Sequence, residues 1–139
     1  MSIKKIENAG NDRKKLLFLI SFAIREFASE TSPSDRVYDI VSFIALALRE
    51  VSRSVGISVA AWEKRGYWVK ADRYQMEWHW ADTLSQRLQD ALLAGDWDLV
   101  VTATTDVARH LGDIKSSQKK LVEQPWEGSW KVLRELHKG

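Results

Sequence analysis

Two histidine–aspartate pairs have the spacing that could hold a metal ion. His79 precedes Asp82, and His110 precedes Asp113, by three positions in each case. On helices this spacing places an imidazole and a carboxylate one turn apart, as in carboxylate–histidine bundles. However, the surrounding pattern puts the first pair on a polar helix face, and the inward glutamates of a di-iron bundle are missing. We therefore interpret both pairs as surface residues and predict no metal and no cofactor.

A second group of reactive side chains combines arginine and lysine with tryptophan. On a helical wheel of the predicted helix, Arg73 and Arg87 lie close to Trp80, on the apolar half. A simple core would carry leucine at these positions. Burying a guanidinium without a partner is very costly, so each arginine needs a carboxylate, a bound anion or solvent. Lys70 and Glu77 flank the arginines. The four-residue spacing from Arg73 to Glu77 predicts an ion pair within the helix.

Three interpretations of this group are open. In the first, the long side chains extend past a core and pair at its rim. In the second, they lie in a subunit interface, where Trp, Tyr and Arg are enriched. In the third, they line an aromatic cleft that binds an anionic ligand through bidentate arginines. The candidate ligand-binding residues are Arg73, Arg87, Lys70, Glu77 and Trp80.

Nucleic-acid binding is a further possibility for the same region. Basic and aromatic residues alternate over 62–70, a combination that suits phosphate contact and base stacking. These residues are Trp62, Lys64, Arg65, Tyr67, Trp68 and Lys70. Glu63, Asp72 and Glu77 dilute the positive charge, and a net charge of +2 is too small to argue for nucleic acid by itself.

Several other classes of chemistry have no support in the sequence. It contains no cysteine, which excludes disulfides, thiolate metal sites and cysteine nucleophiles. It also lacks a P-loop, the dinucleotide-binding glycine motif, the serine-hydrolase elbow and the zinc-protease motif. We predict no catalytic residue.

The longest apolar run, residues 16–24, is far shorter than the ~20 residues that cross a bilayer. Arg25 and Glu26 follow it directly, and no small-residue cleavage pattern is present, so a buried helix fits better than a secretory signal. We therefore expect a cytoplasmic protein that makes no membrane contact.

Length and composition predict one folded domain over residues 1–139. The chain is 45% hydrophobic and 29% charged, which is a globular balance. Its unusual feature is the seven tryptophans. Because tryptophan is favoured in cores and interfaces alike, this abundance predicts packing first and function second.

Two helices are predicted in the first part of the chain. Residues 1–10 lack periodicity and are expected to be a frayed arm. The first helix is predicted from near Arg13 to about Glu30, with apolar residues over more than half of its circumference. The short link to the next helix, over 29–34, predicts an antiparallel hairpin.

The second helix has the clearest start. Ser32 is its predicted N-cap, Pro33 takes the first helical position and Asp35 lies in the first turn. Gly56 is the predicted stop. Between them runs an apolar stripe at spacings of three and four, formed by Val37, Ile40, Val41, Ile44, Leu48, Val51 and Val55.

The stretch 58–94 predicts either one long helix or two helices joined at Gly66–Tyr67, since an interior glycine weakens a helix. Polar residues, Gln89 among them, are predicted to face solvent. One apolar face consists of Trp62, Val69, Met76, Trp80, Leu84 and Ala91, and a second stripe beside it of Tyr67, Tyr74, Trp78 and Leu92. This apolar surface is wider than one partner helix can cover, which favours an interface.

Two shorter elements complete the chain. Gly95–Asp96 predicts the end of one helix and the cap of the next. The stretch 99–105 is rich in β-branched residues, but because no partner strand is evident, we predict a helix. A polar connection over 114–124 leads to a short closing helix that contains Trp126, Trp130, Leu133 and Leu136.

These elements predict an all-α bundle of four main helices plus a short C-terminal helix. The surplus apolar surface favours a non-enzymatic interaction or assembly module that binds itself, as a homo-oligomer, or another protein. A small anionic-ligand-binding protein or enzyme is the alternative, and a nucleic-acid-binding protein ranks third.

Overall fold

The computed structural model describes the backbone of residues 2–112 and 124–138, and their side chains except at 2–9 and 11. Over these ranges the chain forms five helices and no strand: α1 (Ser2–Ala28), α2 (Asp35–Lys64), α3 (Trp68–Ala94), α4 (Trp97–His110) and α5 (Ser129–Leu136). The predicted bundle of four main helices and a short C-terminal one is confirmed. Within this part of the chain, none of the helices has the length and apolar character needed to cross a membrane.

The apolar stripe of α2 forms the centre of the core. All seven predicted members are buried, and six of them have no exposed surface: Val37, Ile40, Val41, Ile44, Leu48 and Val51. Helices α1, α3 and α5 each pack against α2. Burial of one such side chain contributes about 1.5–3 kcal/mol, so this stripe is the main source of stability.

Helices α1 and α2 form the predicted antiparallel hairpin. Near one end of the pair, Arg13 donates a hydrogen bond to Ser54 Oγ at 3.1 Å. At the other end, the Arg36 guanidinium pairs with Glu26 at 2.9 Å and also with Glu30. The hydrogen bond to Glu26, with the charges of both glutamates, raises the pKa of Arg36 against the opposing effect of burial. Arg36 thus links the end of α1 to the first turn of α2.

Helix α1 has different ends from those predicted. Its backbone is helical from Ser2, so the predicted frayed arm over 1–10 is wrong for residues 2–10, and the helix ends at Ala28 rather than near Glu30. The two lysines, the glutamate and the alanine of this segment have good intrinsic helix propensity, whereas Asn8 and Gly10 have poor propensity, so composition alone does not account for the extension.

The N-cap of α2 lies two residues later than predicted, and the helix itself begins at Asp35. The N-cap is Ser34, whose extended backbone lets its side-chain oxygen accept a hydrogen bond from the Val37 amide at 3.2 Å. Ser32 and Pro33 lie outside the helix. Both serines carry a capping hydroxyl, and the structure places the extended capping residue at Ser34.

Gly56 does not end α2, which continues to Lys64. The next turn buries Ser58 and Val59, and this packing offsets the cost of an interior glycine, about 1 kcal/mol. The turn comes instead at Gly66, whose φ of 82° favours glycine. The stretch 58–94 is therefore divided between two helices, as the second of the two alternatives predicted.

The Gly95–Asp96 boundary and the helical state of 99–105 are both confirmed. Gly95 adopts a left-handed conformation, and the Asp96 carboxylate accepts a hydrogen bond from the Leu99 amide at 3.2 Å. Helix α4 then buries Val100, Ala103 and Val107. It runs antiparallel to α3, because the contacts of Asp106 and then His110, in the last turns of α4, go backwards along α3 from Arg87 to Trp80.

The predicted closing helix forms from Ser129, so that Trp126 lies in the turn before it, and a carboxylate from α2 holds its start. Asp39 accepts hydrogen bonds from the amides of Gly128, at 3.3 Å, and Trp130, at 3.0 Å. These amides belong to the start of α5, where a negative charge also interacts favourably with the helix dipole. The predicted connection over 114–124 lies, apart from Gln124, outside the described residues.

One buried polar chain contradicts the predicted polar face of α3. Gln89, expected to face solvent, is 2% exposed. Ser85 Oγ donates to the Ala45 carbonyl at 2.7 Å and accepts from Gln89 Nε2 at 3.0 Å. Gln89 Oε1 lies 2.7 Å from His137 Nε2 and accepts its hydrogen. These hydrogen bonds join α2, α3 and the end of α5. The side-chain amide of Gln89 thus has protein partners, where the sequence pattern implied contact with water.

Ser34→Ala should lower the free energy of unfolding by about 1 kcal/mol, because the Val37 amide loses its acceptor. Ser32→Ala is the matched control and should change it by less than about 0.5 kcal/mol. Urea unfolding followed by circular dichroism measures both. A larger loss for the Ser32 variant would assign the cap to Ser32 after all.

Gln89→Ala should destabilise the fold by about 1–3 kcal/mol, since it removes the two hydrogen bonds that the buried amide makes with Ser85 and His137. Gln86→Ala, at an exposed position of the same helix, is the control and should be near neutral. Equal unfolding midpoints for the two variants in urea would contradict the buried hydrogen-bond chain.

Candidate interaction surface

Helix α3 has an inner face and an outer face. Its inner face packs against α2 and includes Tyr74 and Trp78 of the second predicted stripe. Val69 and Met76, from the first stripe, point the other way and are 68% and 72% exposed. The apolar face that the sequence favours for the core is therefore, in the first half of α3, the face that lies in water.

The difference in helix length explains this exposure. Helix α3 has 27 residues, whereas α4 has 14 and packs against its second half only. Helix α4 ends at His110, beside Trp80. Beyond that point, no helix of the described ranges covers the outer face of α3.

Four outer residues follow one another at spacings of four, three and four. We call Val69, Arg73, Met76 and Trp80 the outer seam. The first three are exposed and Trp80 is half-buried. This spacing is that of the a and d positions of a coiled coil, which pack against a second helix.

Arg73 and Glu77 do not form the ion pair that their spacing predicts. Both side chains are exposed, and neither has an ion-pair partner in the part of the chain that the structure describes. Lys70 lies on the flank of the seam, where its Nζ is 4.6 Å from the centre of the Trp62 ring. Arg73 is thus a solvated cation beside apolar neighbours rather than a rim residue paired at a core.

The other two candidates, Arg87 and Trp80, belong to α3 and contact the C-terminal end of α4. Arg87 donates a hydrogen bond to Asp106 at 3.1 Å, and Arg109 donates to the second oxygen of that carboxylate at 3.2 Å. The Trp80 indole stacks on the His110 ring with centroids 4.4 Å apart and planes within 3°. These side chains line an open groove of about 510 Å³, the α3–α4 groove, which Glu77 also borders. Neither Arg73 nor Lys70 lines it.

A continuous row of aromatic rings connects α2, α3 and α4. Its ring centroids are 4.8, 6.2, 6.0 and 4.4 Å apart in the order Trp62, Tyr74, Trp78, Trp80 and His110. Arg13 of α1 lies 5.3 Å from the Tyr74 ring centre and 5.8 Å from that of Trp78. Sequence reasoning missed Arg13 and His110 as members. No spacing signal links them to the row, because the contacts join different helices.

The proposed nucleic-acid residues cluster at the turn between α2 and α3. Tyr67 and Trp68 are 55% and 63% exposed, and Lys64 and Arg65 are exposed beside them. Trp62, in contrast, is half-buried against Tyr74 and covered by Lys70, which removes one of the predicted stacking platforms.

The two histidine pairs lie differently in the structure. His79 and Asp82 both line a groove between α2 and α3. His79 also borders the α3–α4 groove with His110, and Asp113 lies outside the described residues. Over 2–112 and 124–138, no three histidine or acidic side chains are grouped closely enough to hold a metal ion.

Comparisons of this chain with protein-family models, curated proteins and solved structures found no match.

Proposed function

We propose that this chain is an interaction module that self-associates through the outer seam of α3. The observation that carries the proposal is the exposure of Val69 and Met76, 68% and 72%, on one helical face at coiled-coil spacing. Single exposed apolar residues are common on protein surfaces. An aligned set on one face, left without a helix partner in the described chain, is typical of an interaction site.

The residue types of the seam support the same function. Trp, Met and Arg are enriched at protein interfaces relative to other surface positions, and the seam contains one of each beside Val69. Arg73, which has no ion pair within the described chain, can place its aliphatic stem on apolar neighbours and extend its charge to the rim of a contact.

The size of the seam sets the expected affinity. It spans three turns of one helix per copy, so the contact falls at the small end of the range for specific interfaces. Small interfaces are usually weak or transient, and we expect a dissociation constant in the micromolar range.

Met76→Lys should weaken self-association about tenfold or more, because it puts a charge in the middle of the seam. Val132→Lys, at an apolar α5 position that is 50% exposed, is the matched control and should leave association unchanged. Sedimentation velocity from about 1 to 500 µM measures both dissociation constants. A wild-type protein that stays monomeric over this range would contradict the proposal.

A second candidate function is the binding of a small anion in the α3–α4 groove. The observation that favours it is the sharing of one carboxylate, that of Asp106, by the two guanidinium groups of Arg87 and Arg109. With Glu77, which also borders the groove, the formal charges of the four ionised side chains balance, and the two guanidinium groups lie together beside the stacked rings of Trp80 and His110. An anionic ligand with an aromatic or planar part would suit this combination.

For this candidate, inorganic phosphate should raise the melting temperature of the wild-type protein, by an amount equivalent to about 2.7 kcal/mol at 100 times its dissociation constant. Arg87→Ala should remove this stabilisation, and Arg73→Ala, outside the groove, should retain it. Thermal unfolding at several phosphate concentrations makes the measurement. Equal phosphate responses in wild type and Arg87→Ala would exclude the groove as an anion site.

A further inference from the structure

We propose that two copies of this chain pair through their outer seams as an antiparallel, twofold-symmetric pair of α3 helices, centred between Tyr74 and Gln75. This inference rests on the proposed self-association and specifies its partner, direction and register. It follows from the seam residues, from the charges on the two flanks of the seam and from the point at which α4 ends.

The seam is self-complementary in this register. Arg73 lies opposite Met76 of the second copy, and Val69 lies opposite Trp80 of the second copy. Each contact occurs twice because of the twofold axis. Arginine stems pack well on methionine, and the valine side chain meets the part of the Trp80 indole that remains exposed, so no seam position is left without an apolar neighbour.

The flanking charges match in the same register. Lys70 and Glu77 lie on one flank of the seam, and Asp72 and His79 lie on the other; all four are exposed. In an antiparallel, twofold-symmetric pair, each flank of the seam lies beside the same flank of the second copy. Lys70 therefore faces Glu77 of the second copy, and Asp72 faces His79 of the second copy. Both contacts occur twice, and each joins a donor to a carboxylate.

A parallel pairing of the same seams would be unfavourable. It would put Arg73 opposite Arg73 of the second copy at the centre of the contact. It would also set Asp72 against Glu77 of the second copy, since residues five apart on opposite flanks meet in a parallel coiled coil. Like charges placed together cost binding energy, so the charge pattern selects the antiparallel direction.

The length of the seam fits this arrangement too. It is bounded by the α2–α3 turn at one end and by His110 of α4, which stacks on Trp80, at the other. With the axis between Tyr74 and Gln75, the first seam residue of each copy meets the last seam residue of the other. All four seam positions are used, and α4 reaches the seam at Trp80, whose ring stacks on His110.

Charge exchange at Lys70 and Glu77 tests the register. Lys70→Glu and Glu77→Lys alone should each raise the dissociation constant about tenfold, because two attractive contacts become repulsive. The double variant should regain wild-type affinity. An equimolar mixture of the two single variants should form mixed dimers in preference to either homodimer. In the mixed dimer, both contacts between positions 70 and 77 again join side chains of opposite charge.

A matched exchange at exposed positions away from the seam, Arg49→Glu mixed with Asp90→Lys, should give no preference for mixed dimers. Sedimentation velocity with one variant fluorescently labelled measures mixed and homodimer fractions directly. Circular dichroism of each variant confirms that it remains helical before its association is interpreted.

Cysteine cross-linking provides a second readout, because the chain has no cysteine of its own. When Arg73→Cys and Met76→Cys variants are mixed and oxidised, the antiparallel register should give mixed disulfide dimers in excess of both homodimers. Parallel pairing would give each variant cross-linked to itself, which would overturn the proposed direction.

The outcomes separate this inference from the function on which it rests. A monomeric wild-type protein would overturn both. A wild-type dimer that Met76→Lys disrupts, but whose charge-exchanged variants form mixed and homodimers in statistical proportion, would retain self-association and overturn the antiparallel register.

Discussion

Burial of the α2 stripe is the constraint on which the rest of the structure depends. Six of its side chains are without exposed surface, and no single neighbouring helix can cover them. Helices α1, α3 and α5 therefore pack around α2, and each turns its own apolar residues towards the stripe. Polar contacts such as Arg36 with Glu26, and Asp39 with the first turn of α5, fix where each helix lies along α2.

The rotation of α3 about its axis follows from this constraint. Because Ala71, Tyr74 and Trp78 pack towards α2, the residues on the opposite side must face away from it. Helix α4 covers that side as far as Trp80 and then ends. The exposed seam thus results from two facts together: the orientation that α2 imposes on α3 and the short length of α4.

The aromatic row and the buried Gln89 chain stabilise the same arrangement from opposite sides. The row joins α2, α3 and α4 through ring contacts, with Arg13 of α1 over two of its rings. The Gln89 chain joins α2 and α3 to the end of α5 through hydrogen bonds. A surface used for self-association benefits from such support, since a rigid helix loses little entropy when it binds.

The sequence by itself determined the local features of this protein. The stripe of α2, the glycine turn at Gly95 and the Asp96 cap depend on residues close together in the chain, and each was predicted from spacing and backbone preference. The turn at Gly66 was one of two alternatives that the sequence left open. Tertiary structure decided what depends on distant residues. Ala45 and His137, both more than forty residues from Gln89 in the chain, complete the hydrogen-bond chain in which Gln89 is buried. For the candidate site, the sequence found the seam residues but not their exposure, because periodicity identifies a helix face without telling whether a neighbour, here the short α4, covers it.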